Sequence, residues 1–345
     1  MEKIVLGLSG GVDSSVSAAL LKDQGYEVTG VYLYNGDDKS LREAEKAAAE
    51  AGIAFLSVDV RNDMEENVCS YFTDSYARGL TPSPCVHCNK TVKFPALIKQ
   101  ADILGCERIA TGHYARTAYE NGRWSILCGV DGKDQSYMLA LLPQEIIARC
   151  IFPIGALTKA EVREKAAELG LSSAEKADSM EICFIPDNDT ASYLKQKTGQ
   201  LRQGSFVDFL GNELGPHAGL GLYTVGQRKG LGAFGRTVYV TDIDPVSANV
   251  TIGSADELMK EHFYVDSVNM VSRADIEPGE EFFVRVRHSK SMENVRVYPQ
   301  EDGRLLVKCA DKVRAPTPGQ AAVFYKGDAV AAGGWIVRTP QDETQ

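Results

Sequence analysis

An α/β fold is predicted: an N-terminal domain built on a Rossmann-like parallel sheet, then a small central β module and a C-terminal antiparallel β-barrel. Three observations carry this. Strands alternate with helices through the first half, a Ser-Gly-Gly turn follows the first strand directly, and short alternating strands fill the second half.

Residues 4–8, 27–33 and 53–60 are β-branched runs, and each leads into a helical pattern at 14–24, 40–51 and 64–79. A helical stretch over 89–104 and a strand at Arg108-Ile109-Ala110 follow. Strands separated by whole helices lie parallel, covered on both faces. Residues 114–118 and 124–128 flank Asn121-Gly122, which predicts a tight hairpin appended to that sheet. Thr158-Lys159-Ala160-Glu161 has capping-box spacing and opens a helix that ends near Gly170. From Leu201 onward, runs such as 238–240, 282–286, 295–298, 305–308 and 322–325 alternate between turn residues, the pattern of antiparallel strands. The expected domains are 1–200, 201–260 and 261–345.

With 345 residues, 44% hydrophobic and 24% charged, the chain excludes disorder and supports two or three packed units. No apolar run approaches the roughly 18 residues of a bilayer span, and Met1-Glu2-Lys3 leads into Ile4-Val5-Leu6 without a signal-peptide pattern. A cytoplasmic protein with no membrane partner is expected. Eight cysteines in a chain of this length read as thiols rather than a secreted disulfide framework. The net charge of -10 argues against a protein that coats nucleic acid. Residues 284–314 nevertheless carry eight basic against four acidic side chains, among them Arg285, Arg287, Lys290, Arg296, Lys312 and Arg314.

Gly7-Leu8-Ser9-Gly10-Gly11-Val12-Asp13-Ser14-Ser15 joins a strand to a helix, so backbone N–H groups and a helix N-terminus converge on an anion-sized space. Ser9, Ser14 and Ser15 can add hydroxyl donors, and Asp13 suits Mg²⁺ or water better than bare phosphate. A glycine turn with no ligand is the alternative reading of any single glycine pair. The loop is neither a Walker loop nor Gly-x-Gly-x-x-Gly.

Cys85 and Cys88 sit in a Pro-rich loop before the helix expected at 89, where the helix dipole with Lys90 and Lys93 favours a thiolate. Metal ligation, a redox pair and a nucleophile with a neighbour all fit Cys-x-x-Cys, although no second Cys-x-x-Cys exists to complete a structural zinc site. Cys183, bracketed by apolar residues, reads in isolation as a buried strand cysteine.

The loop resembles that of the ATP-pyrophosphatase superfamily, whose members cleave ATP between the α and β phosphates and adenylate a carbonyl oxygen. Behind it, TPSPCVHCNKTVKF (81–94), ATGHYAR (110–116), GKDQSYML (132–139), DSMEICFIPD (178–187), LYTVGQRKGLG (222–232) and TPGQAAVFY (317–325) resemble, in order, the tRNA-specific 2-thiouridylases. The resemblance spans essentially the whole chain. It implies Cys88 as nucleophile, Cys183 as persulfide carrier and Asp13 as a catalytic-loop residue. It further implies ATP, with Mg²⁺, against Gly7, Leu8, Ser9, Gly10, Gly11, Val12, Asp13, Ser14, Leu33 and Gly112. Ser83, Pro84, Cys85, His113, Lys133, Asp134, Gln135, Arg287, His288 and Gln320 stand at the family's tRNA-contacting positions. The implied reaction is 2-thiolation of the wobble uridine, position 34, in the anticodon stem-loop. Its sulfur comes from an upstream persulfide donor such as a cysteine desulfurase or sulfur-relay protein, and a Cys88–Cys183 disulfide forms between turnovers. Some related thiolation enzymes hold an iron–sulfur cluster on three cysteines; Cys85, Cys88 and Cys183 could supply three, but the thiol pair is preferred.

The chain departs from the family pattern in a short segment at 34–39 and in Cys85, where some members have Asp. The competing classes are an amide ligase of the argininosuccinate or GMP synthetase kind, which needs no cysteine pair, and an RNA-binding module with a vestigial nucleotide fold.

Overall fold

The computed structural model of the chain describes residues 1–176, 182–199, 201–289 and 291–338. Lys290 and residues 178–181 of the cysteine motif lie outside these.

The first domain is a five-stranded sheet with β1 (Lys3–Gly7), β2 (Glu27–Tyr34), β3 (Ala54–Asp59), β4 (Arg108–Thr111) and, further along the chain, the two-residue strand Cys150–Ile151. The order is β3-β2-β1-β4 and then that last strand, every pair parallel. Ile4, Val5 and Leu6 of β1 are fully buried because helices cover both faces. Chain direction across the sheet reverses between β1 and β4. That opens a crevice at their carboxyl ends, where α/β sheets hold ligands.

Helix α1 (Val12–Asp23) returns from β1, and α2 (Asp38–Ala51) from β2, capped by the Asp37 side chain on the Lys39 and Ser40 amides. Helix α3 covers 61–77 with a π turn at Glu65–Cys69, and α4 covers 84–104 with a π turn at Asn89–Lys93. The α4 helix starts at Pro84 and not at residue 89 as expected. Proline fits the first turn because its fixed φ is helical and its missing N–H has no partner to lose there. Cys85 and Cys88 therefore ride on a helix.

The hairpin of β5 (Ala115–Glu120) and β6 (Arg123–Cys128) forms as expected around Asn121 (φ 52) and Gly122 (φ 77), both left-handed as a two-residue turn requires. Its attachment differs from the expectation. The β6 strand joins the last strand of the barrel through Leu127 opposite Ala329, so the hairpin extends the C-terminal sheet and not the parallel one. Buried Ala115 and Ile126 share one apolar cluster with Val323, Tyr325 and Val330 of the barrel and with Val5 and Ile109 of the parallel sheet, so the hairpin lies where the two sheets meet.

The Cys150–Ile151 strand is β7, and α5 (Lys159–Glu168) carries the capping box, Thr158 and Glu161 bonding each other's backbone. Helix α6 (Thr190–Thr198) closes this part of the chain. Strands β8 (Gly204–Val207), β9 (Glu213–His217), β10 (Tyr239–Ile243) and β11 (Val250–Gly253) form a four-stranded sheet in the order β10-β11-β8-β9. It has its own core, with Phe206, Tyr223, Val240 and Val250 at its centre.

The barrel comprises β12 (Met259–Met270), β13 (Glu280–Arg285), β14 (Glu293–Pro299), β15 (Leu305–Arg314), β16 (Ala321–Lys326) and β17 (Ala329–Val337). Its order is β12-β15-β14-β13-β16-β17, and β17 pairs back onto β12, which closes the sheet. Alternation fixes the register: Phe282 and Val284 point inward, Glu281 and Phe283 outward. Arg285, at the end of β13, meets Asp134 of the first domain at 2.5 Å, both side chains 9% exposed.

Candidate active site

The loop after β1 keeps its close shape because Gly10 has φ 73 and α2 leaves no room there. A Cβ on Gly10 would stand 2.6 Å from the Ala44 nitrogen. Gly112 is held to glycine in the same way, since its Cβ would lie 2.9 Å from the Ser14 nitrogen, against the start of α1. Leu8 and Val12 turn their side chains into the core, leaving only backbone to face a ligand. The serine hydroxyls depart from the expectation. Ser14 and Ser15 each donate to the Gly11 carbonyl at 3.0 Å, and Ser15 is fully buried, so these hydroxyls brace the loop while exposed Ser9 faces outward. Leu33, half-buried near the carboxyl end of β2, packs with Val58.

Asp13 takes the Lys159 ammonium at 2.8 and 2.9 Å and the Tyr114 hydroxyl at 2.6 Å. In this structure its carboxylate is satisfied by protein groups. Among the described residues no group of three His, Cys, Asp or Glu side chains gathers that could hold a metal ion. Lys176 reaches the same loop at the Gly10 carbonyl, 3.4 Å away, and pairs with Glu43. Both ammonium groups lie beside the cradle of amides, each held by a carboxylate, Lys159 by Asp13 and Lys176 by Glu43. The sequence reading missed Lys159, Lys176 and Tyr114. The capping box marked Lys159 only as the first residue of α5; nothing local marks which helix its side chain meets.

All eight cysteines are free thiols. The Cys88 thiol donates to the Met64 sulfur at 3.8 Å, and burial pushes its pKa up despite the opposing effect of Lys93. The thiolate expected from the helix dipole and the lysines is therefore not the resting form. Cys183 lies in a turn, exposed at the chain surface, yet its pKa is pushed up to about 12, chiefly by the protein packed around its sulfur. A cleft of about 450 Å³ opens over it, lined by Arg61, Met64, Cys69, Phe184 and Tyr193 among others. Cys85 is exposed on the first turn of α4.

The expected RNA positions divide into two groups. Gln320 donates to the Thr81 and Pro82 carbonyls at 3.0 Å each, and the Ala321 amide donates to Ser83 Oγ at 3.4 Å, which ties the barrel to the segment leading into Pro84 and Cys85. Arg287, half-buried, donates to the Ala315 carbonyl at 2.7 Å, and exposed His288 stands 5.9 Å from the Tyr137 ring. Tyr137 links the two sets, its hydroxyl donating to the Ala321 carbonyl at 2.9 Å beside the His288 ring, so these six lie along one seam. Among the other four, His113, Asp134 and Gln135 make hydrogen bonds within the protein. Asp134 accepts from the Gly129 and Ser136 amides and from Arg285, and Gln135 Oε1 accepts from the Tyr114 amide at 3.0 Å. His113 is buried between Phe94 and Phe152 with Nδ1 2.6 Å from Thr111 Oγ1, and burial holds its pKa well below the usual imidazole range. Lys133 remains exposed. The basic stripe is not one face either: Arg285 points inward to Asp134, while Arg296 and Lys312 pair with Glu281 and Glu261.

A glycine cradle at the reversal point of a parallel sheet defines a nucleotide-binding α/β protein, and the thiols carried by the same domain add a second chemistry to it. Three family models match in succession: "tRNA methyl transferase HUP domain" over 2–187, "tRNA methyl transferase PRC-barrel domain" over 191–254 and "Aminomethyltransferase beta-barrel domain" over 260–336. The tRNA-specific 2-thiouridylase MnmA of Clostridium perfringens is 42% identical, over 97% of this chain and 98% of its own. That of Chloroflexus aurantiacus is 45% identical over 98% and 99%. A 4-thiouridine synthetase–RNA complex with bound ATP aligns with 57% of this chain and 50% of its own at TM-score 0.36 and 18% identity, too partial to carry an argument. The chain belongs to the tRNA-specific 2-thiouridylase family.

Proposed function

We propose that this protein is an ATP-dependent tRNA-uridine 2-sulfurtransferase, acting on the wobble uridine of the anticodon loop. The observation that carries the reading is that a chain of this family keeps both the glycine loop Gly7–Ser14, closed against α2 and Gly112, and the free thiols Cys88 and Cys183. The C2 oxygen of the uridine attacks the α-phosphate of ATP held on the loop, pyrophosphate leaves, and the oxygen becomes part of a good leaving group. Sulfur carried as a persulfide on Cys183 then reaches C2, AMP departs, and the Cys88 thiol takes up the Cys183 sulfur as a disulfide. Reduction of that disulfide resets the site.

Lys159 and Lys176 offset the charge of the phosphates, and Mg²⁺ would arrive on the nucleotide rather than on a protein carboxylate cluster. Single-stranded uridine enters beside Ser83, Pro84 and Cys85, with Arg287, His288 and Gln320 flanking the same seam. His113, Asp134 and Gln135 hold the loops that form this seam. Cys183 is exposed, which suits reloading by an upstream donor such as a cysteine desulfurase or a sulfur-relay protein. Among the described residues no helix is long and apolar enough to cross a membrane, and the cytoplasm, where tRNA is modified, is the proposed compartment.

The test is nucleoside mass spectrometry after incubation with tRNA, ATP, Mg²⁺ and a persulfide source. Expected is 2-thiouridine that disappears in Cys88→Ser and Cys183→Ser. An amide ligase would instead be indifferent to both cysteines, and persulfide-dependent activity in Cys183→Ser would refute the carrier assignment.

A further inference from the structure

Cys69 is a thiol beside this site that the proposed reaction leaves unused. It closes the π turn Glu65–Cys69 of α3, and the π turn Asn89–Lys93 of α4 begins directly after Cys88. The two turns pack against each other. Such turns interrupt a helix at a cost in hydrogen bonding and concentrate where a side chain has a task. Cys69 is 6% exposed and lines the cleft that Cys183 also lines.

A second group points into the same cleft. Tyr193, 8% exposed, has a hydroxyl with no hydrogen-bond partner of ordinary geometry. Its neighbour is the Cys69 sulfur; burial holds that thiol's pKa above the usual range, and a hydrogen donated by Tyr193 opposes the rise. Lys197 spans the pair, with its ammonium 5.8 Å from the Tyr193 ring centre and 2.6 Å from Glu65 on the π turn. A buried phenol that can donate to a thiol, in a cleft shared with Cys183, is an arrangement suited to thiol exchange.

We propose that Cys69 is a resolving thiol, which discharges a persulfide held on Cys183 when no activated uridine is present to take it. The inference rests on Cys183 being the carrier. The Cys69 thiolate attacks the Cys183 sulfur, forms a Cys69–Cys183 disulfide and breaks the persulfide S–S bond. Hydrosulfide leaves with that electron pair and picks up the proton Cys69 has lost. The outer sulfur is reduced, the two cysteine sulfurs are oxidised, and an external dithiol returns both to thiols. Cys183 is thereby kept from the irreversible oxidation open to an exposed, idle persulfide.

The experiment uses the full chain carrying Cys88→Ala, treated with a low-molecular-weight cysteine persulfide in the absence of tRNA. Mass spectrometry follows the Cys183 persulfide and any Cys69–Cys183 cross-linked peptide, and released hydrosulfide is trapped and quantified. The cross-link is expected to grow in step with hydrosulfide, and adding Cys69→Ser is expected to lengthen the persulfide lifetime by about tenfold. The cross-link is read in protein that keeps Cys69, so the result does not depend on how Cys69→Ser folds. A persulfide on Cys183 that decays with no cross-link overturns the role of Cys69 and leaves the carrier intact. No persulfide on Cys183 at all overturns both.

Discussion

The Lys159 ammonium stands 2.8 and 2.9 Å from the two carboxylate oxygens of Asp13, joining the first turn of α5 to the first turn of α1. The lysine side chain is 12% exposed and the aspartate 33%, so solvent does little to replace either partner. Lys159→Met leaves a lone negative charge where polyphosphate binds and removes one positive charge. We expect ATP-dependent pyrophosphate exchange to fall by about 10²-fold, mostly in the KM for ATP, with Lys159→Arg retaining part of it. An unchanged KM for ATP in Lys159→Met would remove this residue from the nucleotide site.

Asp134 and Arg285 hold the first domain against the barrel. Removing one partner strands the other in a buried position, and Asp134→Ala is expected to cost about 3–5 kcal/mol of stability. The double variant Asp134→Ala/Arg285→Met should recover a large part of that loss. Denaturant unfolding measures both, and a single-variant loss below about 1 kcal/mol would place the pair among ordinary surface contacts.

Buried His113 gives the protein an acid-side dependence with a definite sign. Burial depresses its folded pKa, and the unfolded imidazole takes up a proton near pH 6.5, so below that value the unfolded state binds more protons and stability falls as pH falls. His87, depressed chiefly by burial beside Tyr71, adds in the same direction. His113→Asn should flatten the slope of unfolding free energy between pH 6.5 and lower values. An unaltered slope would mean that other groups carry it.

The thiols titrate in the opposite sense. With Cys183 pushed up to about 12 and Cys88 raised by burial, both are protonated at neutral pH, and alkylation of Cys183 by iodoacetamide should speed up by nearly tenfold per pH unit from pH 7 to 10. Peptide mapping of the labelled chain reads each site separately. A plateau near pH 8 at Cys183 would contradict the environment described for it.

Gln320 acts through the Thr81 and Pro82 carbonyls. Gln320→Ala should loosen the approach to Pro84 and raise the KM for tRNA severalfold while leaving pyrophosphate release from ATP in place. Steady-state thiolation at varied tRNA concentration separates the two effects.

Much of this architecture is legible in the chain itself, because the parallel sheet follows from helices too long to be turns and the barrel from period-two alternation. Asn121-Gly122 announces its hairpin for the same local reason. What is not legible is which sheet that hairpin joins. The pattern of β5 and β6 is the same beside β4 or beside β17, and nothing within it marks Ala329 as the partner of Leu127. Helix α4 begins earlier than its periodicity suggests because Pro-x-x-x-Cys holds too few apolar positions to register as a helix. Lys159 looks like any lysine at the start of an exposed helix until α5 is laid against α1. Asp134 and His113 show the converse: motif position selected them, and burial assigns them to the interior.

The placement of β5 and β6 also bears on how the chain is made. The hairpin emerges from the ribosome with its apolar side uncovered, and its neighbour β17 is synthesised only at the far end of the polypeptide, residue 329 having to find residue 127. Until then the edge of β6 is open to strands of other nascent chains, a hazard that slow or interrupted translation prolongs. The catalytic half therefore cannot mature alone, and a truncation that removes the barrel takes away part of that half's own interior.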